Sequence, residues 1–284
     1  MKFRILLLIQ LVFISSSGFS QSDSIAVSSA KWQSKKISRG IKLKTHCFNK
    51  TLFNSNQNVS ILEVKPGRKV MLDLRYEQKV LKKTSEFGKE ENALAALNGT
   101  FFDIKNGGSV DYIRSDGIVV NENRQGKTQN RALHQKAAIT FTKGKITIVK
   151  WDGTPDWEKN LPGEDVMLSG PLLMIDKKGS TVDSSGFTIT RHPRSAVAIK
   201  GKKVLLITVD GRNENSAGMN LFELSNFLRW MKSDAAINLD GGGSTTLWVK
   251  DQPGNGVVNY PSDNKKWDHE GERKVANVIL VKRR

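Results

Sequence analysis

The sequence has the composition of an ordinary globular protein with a large excess of basic side chains. Its 284 residues carry 45 Lys and Arg against 28 Asp and Glu, a formal net charge of +17, and they include one cysteine, Cys47. A single cysteine excludes an intrachain disulfide, so a buried core has to hold the fold. The charge favours anionic partners such as phosphorylated glycans, acidic wall polymers or membrane surfaces, and a solvated basic face is the alternative. The missing RRM, zinc-finger and helix-turn-helix patterns argue against nucleic acid as a partner.

The first twenty residues have the pattern of a secretory signal peptide. Lys2 and Arg4 precede an apolar stretch over residues 5–14, and small residues follow up to Ser20. The apolar stretch is shorter than a membrane-spanning helix requires, and no later run is apolar enough to cross a bilayer. We therefore predict a cleaved signal peptide over residues 1–20, no transmembrane span, and a secreted or periplasmic location.

Short β-like runs separated by turn signals fill most of the remaining chain. The Ser-rich segment 21–36 is polar, and we expect it to form a tether or a frayed edge ahead of a single domain over residues 37–284. Within the domain, NVSILEVKPG (58–67) is a strand candidate. The segments AAITFTKGKITIV (137–149) and SAVAIKGKKVLLITV (195–209) each carry Lys-Gly-Lys between two β-rich arms, which predicts antiparallel hairpins. Nothing in the sequence indicates an oligomeric state.

A strand, a helix and a second strand follow one another between residues 204 and 239. VLLITV (204–209) and AAINL (235–239) are apolar enough to be buried on both faces of a sheet. The longest predicted helix, NLFELSNFLRWMK (220–232), lies between them, with Asn220 and Glu223 in capping-box spacing. This order predicts a right-handed βαβ crossover with parallel strands. We therefore predict an α+β domain with a mixed β-sheet, hairpins, and helices packed on the sheet.

Each strand of the predicted crossover ends at an aspartate, Asp210 for the first and Asp240 for the second. Parallel strands place both at the carboxyl edge of the sheet, where ligands bind in open α/β sheets, so we expect both carboxylates to face one cleft. If the two strands are neighbours, the two carboxyl groups could lie about 5–5.5 Å apart, as in retaining glycosidases. If another strand lies between them, a separation of roughly 6.5–9.5 Å is expected, as in inverting enzymes. We favour the inserted strand. The alternative for Asp210 is a structural carboxylate that accepts hydrogen bonds from the N–H groups of the following loop.

Three glycines, Gly241, Gly242 and Gly243, follow Asp240 directly, and Ser244 comes next. Glycine permits tight turns and a close approach of backbone to a ligand, so we predict a loop that exposes N–H groups toward the cleft; a flexible loop is the alternative. No Lys-Ser or Lys-Thr pair follows, which excludes a P-loop, and the last glycine of the dinucleotide fingerprint is missing. Ser244 lacks a nucleophile-elbow pattern, which argues against a serine hydrolase.

Several arginines and one asparagine accompany the same loops. Arginine offers a rigid fork of donors suited to phosphate oxygens, so a cluster at one sheet edge would bind an oxyanion. The candidates are Arg191 and Arg194 before SAVAI, Arg212 in DGR, and Arg273 in ERKVANVILV. Asn98 ends another apolar run, where its amide could contact sugar hydroxyls or form a simple turn.

The four histidines, His46, His134, His192 and His269, lie far apart and have no metal-ligand spacing. We therefore predict no metal and no other cofactor, and we interpret each histidine as a surface or hydrogen-bonding residue. His192 precedes a strand and could border the cleft.

Five segments form one combination of motifs in a fixed order: NGTFFD (98–103), HPRSAVAI (192–199), VDGRNENSAGMNLFEL (209–224), NLDGGGSTTLW (238–248) and ERKVANVIL (272–280). Together they resemble the phosphodiester glycosidase family over roughly residues 60–284. The resemblance implies one α+β domain that hydrolyses a sugar 1-phosphodiester. It also implies functional positions at Asn98, Arg194, Asp210, Arg212, Asp240, Gly241 to Gly243, Ser244 and Arg273.

The chemistry of these residues agrees with that resemblance. Cleavage between the anomeric carbon and oxygen expels a phosphate monoester, a weakly basic leaving group that requires little protonation. Arginines and N–H groups could stabilise its charge while a carboxylate activates water or attacks the sugar, which predicts an anionic glycan or sugar-phosphate substrate. One alternative is a non-catalytic glycan-binding or polysaccharide-export accessory protein on the same fold. Another is a metal-dependent phosphodiesterase, for which the sequence lacks a carboxylate and histidine cluster.

Overall fold

Strands dominate the computed structural model, which describes residues 18–124 and 131–284. In chain order the strands are β1 (Gln33–Ser38), β2 (Ile41–Leu52), β3 (Ser55–Val64), β4 (Val70–Tyr76), β5 (Lys82–Lys83), β6 (Ala95–Asn98), β7 (Ile113–Ser115), β8 (Ile118–Asn121), β9 (Ala137–Thr142), β10 (Lys145–Lys150), β11 (Asp165–Leu168), β12 (Leu172–Ile175), β13 (Lys178–Gly179), β14 (Arg194–Lys200), β15 (Lys203–Val209), β16 (Ala235–Asn238), β17 (Leu247–Val249), β18 (Lys274–Val275) and β19 (Asn277–Arg283). The α-helices are α1 (Gly18–Ser28), α2 (Thr84–Glu90), α3 (Gly186–Ile189) and α4 (Leu221–Trp230), and 3-10 turns cover Leu133–Gln135, Trp157–Asn160 and Gly242–Ser244. Within these ranges no helix is long and apolar enough to cross a membrane.

The strands form four sheets. The largest has eight strands in the order β1-β2-β3-β15-β14-β16-β12-β13. The others have the orders β10-β9-β11-β7-β8, β17-β6-β19-β4 and β18-β5. Helices lie on a largely antiparallel framework, so the α+β class predicted from the sequence is confirmed.

The crossover predicted around Asp210 and Asp240 is present with one strand inserted. Helix α4 connects β15 to β16, and β14 lies between these two strands and pairs antiparallel with both. The strands β15 and β16 therefore run parallel, as predicted, and the inserted strand is confirmed. One correction concerns the predicted mixed sheet, because every pair of hydrogen-bonded strands in the described ranges is antiparallel. The physical reason is the short hairpin between β14 and β15, which places β14 in the gap.

The local signals of the sequence explain the hairpins and the longest helix. Strands β9 and β10 turn through Lys143 and Gly144, both at positive φ, and β14 and β15 turn beside Gly201, so both Lys-Gly-Lys hairpins are confirmed. At the start of α4, the Asn220 side chain accepts a hydrogen bond from the Glu223 N–H at 2.8 Å. The Glu223 carboxylate accepts one from the Asn220 N–H at 3.0 Å. The predicted capping box is therefore present.

The eight-stranded sheet is buried on both faces. Along β15, Leu206 packs into the cluster shared with the smaller sheets, whereas Leu205 and Ile207 pack into the cluster formed with α1 and α4. Successive side chains of a strand point to opposite faces, which is why a continuous apolar run marks a central strand. Each fully buried Leu or Ile contributes about 1.5–3 kcal/mol to folding.

The N-terminal segment corrects one prediction. Residues 21–36 were expected to be a tether or frayed edge, but most of them belong to α1 and β1. Val27 of α1 is buried in the core, and β1 pairs antiparallel with β2 along the sheet edge. A few apolar contacts of this polar segment are enough to order it. The signal peptide predicted for residues 1–20 lies, up to residue 17, outside the described residues and stays a prediction.

Candidate active site

Asp240 lies just beyond the end of β16, where the backbone of a second sheet fixes it. Its N–H donates to the Gly99 carbonyl at 3.0 Å, and its carbonyl accepts from the Asn98 amide at 2.7 Å. The carboxylate accepts from the Gly241 N–H at 3.0 Å. Burial raises the pKa of Asp240 to about 6, and the Ser244 hydroxyl, the Gly241 N–H and the charge of Arg273 oppose that rise. As a residue Asp240 is partly exposed, in contrast to Asp210, which is buried.

Each of the three glycines after Asp240 lies against a different neighbour. A Cβ on Gly241 would lie 2.6 Å from the Pro193 carbonyl oxygen, one on Gly242 would lie 3.0 Å from the Arg212 guanidinium, and one on Gly243 would lie 2.5 Å from the Asp263 carboxylate. Gly242 also has a φ of +60°. The loop is therefore tightly packed, and the absence of side chains lets charged groups approach the backbone.

The N–H groups of this loop do not all face the cleft, which corrects a further prediction. The Gly241 N–H donates to Asp240, and the Gly242 N–H donates to the Pro193 carbonyl at 2.9 Å. Both donors are thus used inside the protein. Ser244 is fully buried, so its hydroxyl does not reach the surface. The N–H groups of Gly241 and Gly242 are therefore not free to bind a phosphate in this structure.

Two arginines border the glycine loop. Arg212 is exposed, has a φ of +62° and places its guanidinium against Gly242. No carboxylate among the described residues forms an ion pair with it, so its charge is available to an anion. The Arg273 guanidinium packs against Gly243 and binds Asp263, with Nε 2.9 Å from the carboxylate oxygen. Residues in the left-handed region often lie at functional sites because the strain needs support from the surrounding structure.

Arg194 has a different role from the one predicted. Its side chain is 1% exposed, Nε donates to the Met219 carbonyl at 2.8 Å, and Nη2 donates to the carbonyls of Phe187 (2.7 Å) and Thr190 (3.0 Å). Burial, then the charge of Arg212, lowers the pKa of Arg194 to about 10. The guanidinium also stacks on the Phe187 ring, 4.7 Å from its centroid. Arg194 therefore braces the segment of α3, and the structure does not bring it into contact with a substrate cleft. Arg191, the other arginine before SAVAI, binds Glu223 at the start of α4.

Asn98 is also an internal residue. It is fully buried, and its side-chain oxygen accepts from the Ser195 hydroxyl at 2.6 Å and from the Thr246 N–H at 3.1 Å. Its amide nitrogen donates to the Asp240 carbonyl at 2.7 Å. Of the two alternatives left open by the sequence, the structure favours an internal role over contact with sugar hydroxyls, because the side chain is fully buried. Asn98 instead ties β6 and β14 to the backbone that presents Asp240.

Asp210 lies at the same sheet edge as Asp240, as predicted, but its carboxylate is buried and fully engaged. Oδ2 accepts from Asn58 Nδ2 at 2.7 Å, and Oδ1 accepts from Asn259 Nδ2 and the Tyr260 N–H, both at 2.9 Å. Burial raises the pKa of Asp210 to about 6 against these hydrogen bonds. The expectation that both carboxylates face one cleft is therefore wrong for Asp210. The alternative stated for Asp210 in the sequence analysis was a structural carboxylate bound by N–H groups of the loop that follows it. The carboxylate is structural in this sense, but its hydrogen-bond donors come from distant strands and loops.

Two histidines lie near this edge. Burial, and then the charges of Arg194 and Arg212, lower the pKa of His192, so this residue lies near both arginines. His134 was interpreted as a surface or hydrogen-bonding residue, and the structure supplies its partner: Nδ1 lies 2.9 Å from both oxygens of the buried Asp111 carboxylate. The two residues are 23 positions apart in an irregular stretch of sequence, so no local spacing could reveal the pair. In the described part of the chain, no group of three or more His, Cys, Asp or Glu side chains could hold a metal ion.

Comparison with known proteins identifies the family of this fold and site. The chain belongs to the phosphodiester glycosidase family, because the model of that family matches residues 91–282. It is similar to the N-acetylglucosamine-1-phosphodiester alpha-N-acetylglucosaminidases of mouse and human. The mouse enzyme is 29% identical over 200 residues, covering 66% of this chain and 37% of the relative. The human enzyme is 28% identical over 212 residues, covering 69% and 39%. The chain thus spans less than two fifths of the length of these curated relatives.

Solved structures share the fold. A hypothetical protein from Synechocystis has a TM-score of 0.67 at 15% identity and covers 89% of this chain and 64% of its own. The zebrafish N-acetylglucosamine-1-phosphodiester alpha-N-acetylglucosaminidase catalytic domain, auto-inhibited by its pro-peptide, has a TM-score of 0.66 at 23% identity and covers 89% and 88%. At these identities the likeness supports the architecture, and the single α+β domain predicted from the sequence agrees with it.

Proposed function

We propose that this chain hydrolyses sugar 1-phosphodiesters by cleaving the bond between the anomeric carbon and the phosphate oxygen. The observation that carries the proposal is the position of the Asp240 carboxylate at the start of a glycine loop that packs against both Arg212 and Arg273. A carboxylate beside two guanidinium groups suits a substrate with an electrophilic carbon next to a phosphate. The relatives in mouse and human carry names that describe this reaction on an N-acetylglucosamine phosphodiester.

One carboxylate is enough for this reaction. A phosphate monoester is a weakly basic leaving group, so it departs without a strong proton donor, and glycosidases that expel an alkoxide need a second carboxyl group for that purpose. Asp240 either activates water or attacks the anomeric carbon. With a pKa of about 6, Asp240 is mostly ionised at neutral pH, which both roles require. The burial of Asp210 therefore does not count against the proposal.

The arginines stabilise the phosphate in this scheme. Charge accumulates on the phosphate oxygens as the bond to the sugar breaks, and fixed cations favour that change because they need no reorganisation. Arg212 has no carboxylate partner among the described residues, and Arg273 is held in place by Asp263. We assign Arg212 as the main phosphate ligand and Arg273 as a second cation.

We further propose that the protein is exported and acts on anionic glycans or sugar-phosphate polymers. The support for export is the signal-peptide pattern of residues 1–20, and the support for the substrate class is the net charge of +17. An excess of positive charge raises the local concentration of polyanions around the molecule and speeds their association.

The test is direct. The purified protein is incubated with the methyl phosphodiesters of glucose, mannose and N-acetylglucosamine 1-phosphate, and free reducing ends are measured over time. The reaction is run in ¹⁸O-labelled water. Release of reducing sugar together with methyl phosphate that carries no ¹⁸O supports the proposal, because cleavage of the sugar-side P–O bond gives the same two products but puts the label into methyl phosphate. Release of methanol with retention of sugar phosphate would indicate cleavage of a P–O bond, and sensitivity to EDTA would then favour a metal-dependent phosphodiesterase. Binding to these compounds without any release would favour the non-catalytic glycan-binding alternative.

A further inference from the structure

A histidine and two phenylalanines form a wall that the proposed phosphate chemistry does not use. The Phe101 ring lies 5.2 Å from the His134 ring and 6.0 Å from the Phe187 ring, measured between centroids. The Phe187 side chain is 38% exposed and the His134 side chain 36%. Large apolar side chains with this much exposure, placed beside an ionisable ring, are typical of a binding surface.

Backbone hydrogen bonds connect the wall to the segment that carries Asp240. Phe101 comes two residues after Gly99, whose carbonyl accepts the Asp240 N–H at 3.0 Å. On the other flank, the Phe187 carbonyl is bound by Arg194, the residue after Pro193, and the Pro193 carbonyl accepts the Gly242 N–H. The wall and the glycine loop are thus attached to the same short pieces of backbone.

His134 also occupies that flank. A Cβ on Gly170 would lie 3.1 Å from the His134 Cα, and the Gly170 carbonyl accepts from Asn238 of β16, two residues before Asp240. Arg212 and Arg273 pack against the glycine loop that follows Asp240, whereas His134 lies beside the Gly170 segment that binds Asn238 ahead of Asp240.

The buried Asp111 carboxylate sets the orientation of His134. Asp111 is fully buried, both of its oxygens lie 2.9 Å from His134 Nδ1, and Oδ1 also accepts from Gln135 Nε2 at 3.1 Å. A carboxylate can only accept, so Nδ1 carries the proton in this contact. In the neutral imidazole the remaining nitrogen, Nε2, is then an acceptor.

We infer that Phe101, Phe187 and His134 form the subsite for the sugar ring of the substrate, with Asp111 as the residue that positions His134. This inference rests on the proposed function, since it takes the Asp240 carboxylate to act on an anomeric carbon. The apolar C–H face of a pyranose packs on the phenylalanine rings, and a sugar hydroxyl donates to His134 Nε2. The phosphate lies on the side of Arg212. A sugar is the occupant that needs both an aromatic face and a fixed acceptor next to the reacting carbon.

The experiment separates the sugar side of the site from the phosphate side by product inhibition. It uses the full chain and whichever of the three methyl phosphodiesters the wild-type protein hydrolyses fastest. Inhibition constants are measured for the corresponding free sugar and for methyl phosphate. The variants are His134→Ala, Phe187→Ala and Arg212→Ala, and Ile25→Ala on α1, whose side chain is 56% exposed, serves as a control for loss of an exposed apolar group.

The expected result is a crossed pattern. His134→Ala and Phe187→Ala should each raise the inhibition constant of the free sugar by about fivefold to tenfold, the loss of one hydrogen bond or one ring contact. The same two variants should leave the inhibition constant of methyl phosphate within about twofold of the wild-type value. Arg212→Ala should do the reverse, and Ile25→Ala should change neither. Nitrogen NMR of the wild-type protein above pH 8 should show the His134 proton on Nδ1.

Three results would overturn the inference. The first is an unchanged free-sugar constant in both His134→Ala and Phe187→Ala when each variant melts at the wild-type temperature. The second is an equal rise of the sugar and phosphate constants, and the third is a His134 proton on Nε2. These outcomes leave the proposed function standing, whereas a wild-type protein that releases no sugar from any of the three substrates refutes the proposed function itself.

Discussion

Asp210→Asn tests whether a buried carboxylate at the sheet edge is structural or catalytic. The wild-type carboxylate accepts three hydrogen bonds, from Asn58, Asn259 and the Tyr260 N–H. In the variant one amide N–H faces one of these donors, so one hydrogen bond is lost and a buried donor remains without an acceptor. Below about pH 4, where the wild-type carboxyl is protonated and also carries a donor, that change costs at most about 1–3 kcal/mol in the free energy of unfolding.

A second contribution to the difference in stability between Asp210→Asn and wild type depends on pH and has the opposite sign. The pKa of Asp210 is raised from 3.8 to about 6 by burial, so the folded protein binds the proton more tightly than the unfolded chain. The stability linked to that proton is fully present below about pH 4 and is lost as the pH rises through about 6, and two pKa units amount to about 3 kcal/mol. The asparagine side chain of the variant does not titrate. The stability of the variant relative to wild type should therefore improve by about 3 kcal/mol between pH 4 and pH 8, which brings the two close to parity at pH 8.

The measurement is urea unfolding followed by tryptophan fluorescence at several pH values from 4 to 8, with turnover measured at each pH at which the variant is folded. Asp240→Asn is the matched variant, because it makes the same chemical change at the neighbouring strand end. It should abolish release of sugar with little loss of stability, whereas Asp210→Asn should retain turnover within a few-fold. A stability difference that stays constant across this pH range, or a loss of turnover in Asp210→Asn as complete as in Asp240→Asn, would refute the structural role.

Other substitutions and conditions test the remaining parts of the site. Asn98→Ala removes the amide that joins Ser195, Thr246 and Asp240, and should lower the free energy of unfolding by roughly 2–4 kcal/mol in a urea titration, because several buried partners lose their bond. Arg212→Ala should weaken binding of the phosphodiester by about 1.5–3 kcal/mol in KM measurements without lowering the melting temperature, and unchanged kinetics would move the phosphate site elsewhere. Dithiothreitol should leave the melting temperature unchanged, since the chain has one cysteine.

Local sequence signals predicted the elements around the site well. The Lys-Gly-Lys hairpins, the capping box of α4 and the two aspartates at one sheet edge depend on residues within a few positions of one another, and all are present. Direct pairing of β15 with β16 could not be decided in this way. The strand that fills the gap, β14, is adjacent in sequence to β15, and only the hydrogen-bond register of the whole sheet shows its place.

The roles of individual site residues were harder to predict, because their partners are remote in sequence. Asp210 is bound by Asn58, 152 positions away, and Asn98 is bound by Thr246, 148 positions away. A buried polar residue and a ligand-binding one look alike in a sequence, since both are polar residues at the end of an apolar run. Only the set of hydrogen-bond partners distinguishes them.

The central position of β3 has a consequence for how the chain acquires its fold. β3 pairs on one side with β2 and on the other with β15, and Val204 faces Val64 across 140 positions of sequence. The family match begins at residue 91, after this strand, so a fragment cut at that point would lack an interior strand of its largest sheet.

During synthesis from the N-terminus, the hairpin of β2 and β3 forms long before its second partner strand exists. One edge of β3 stays unpaired, and both faces of the hairpin stay apolar, until about 140 further residues have been made. Pairing over such a distance is slow, and an exposed apolar edge can associate with another chain in the meantime. We therefore expect refolding yield to fall as protein concentration rises.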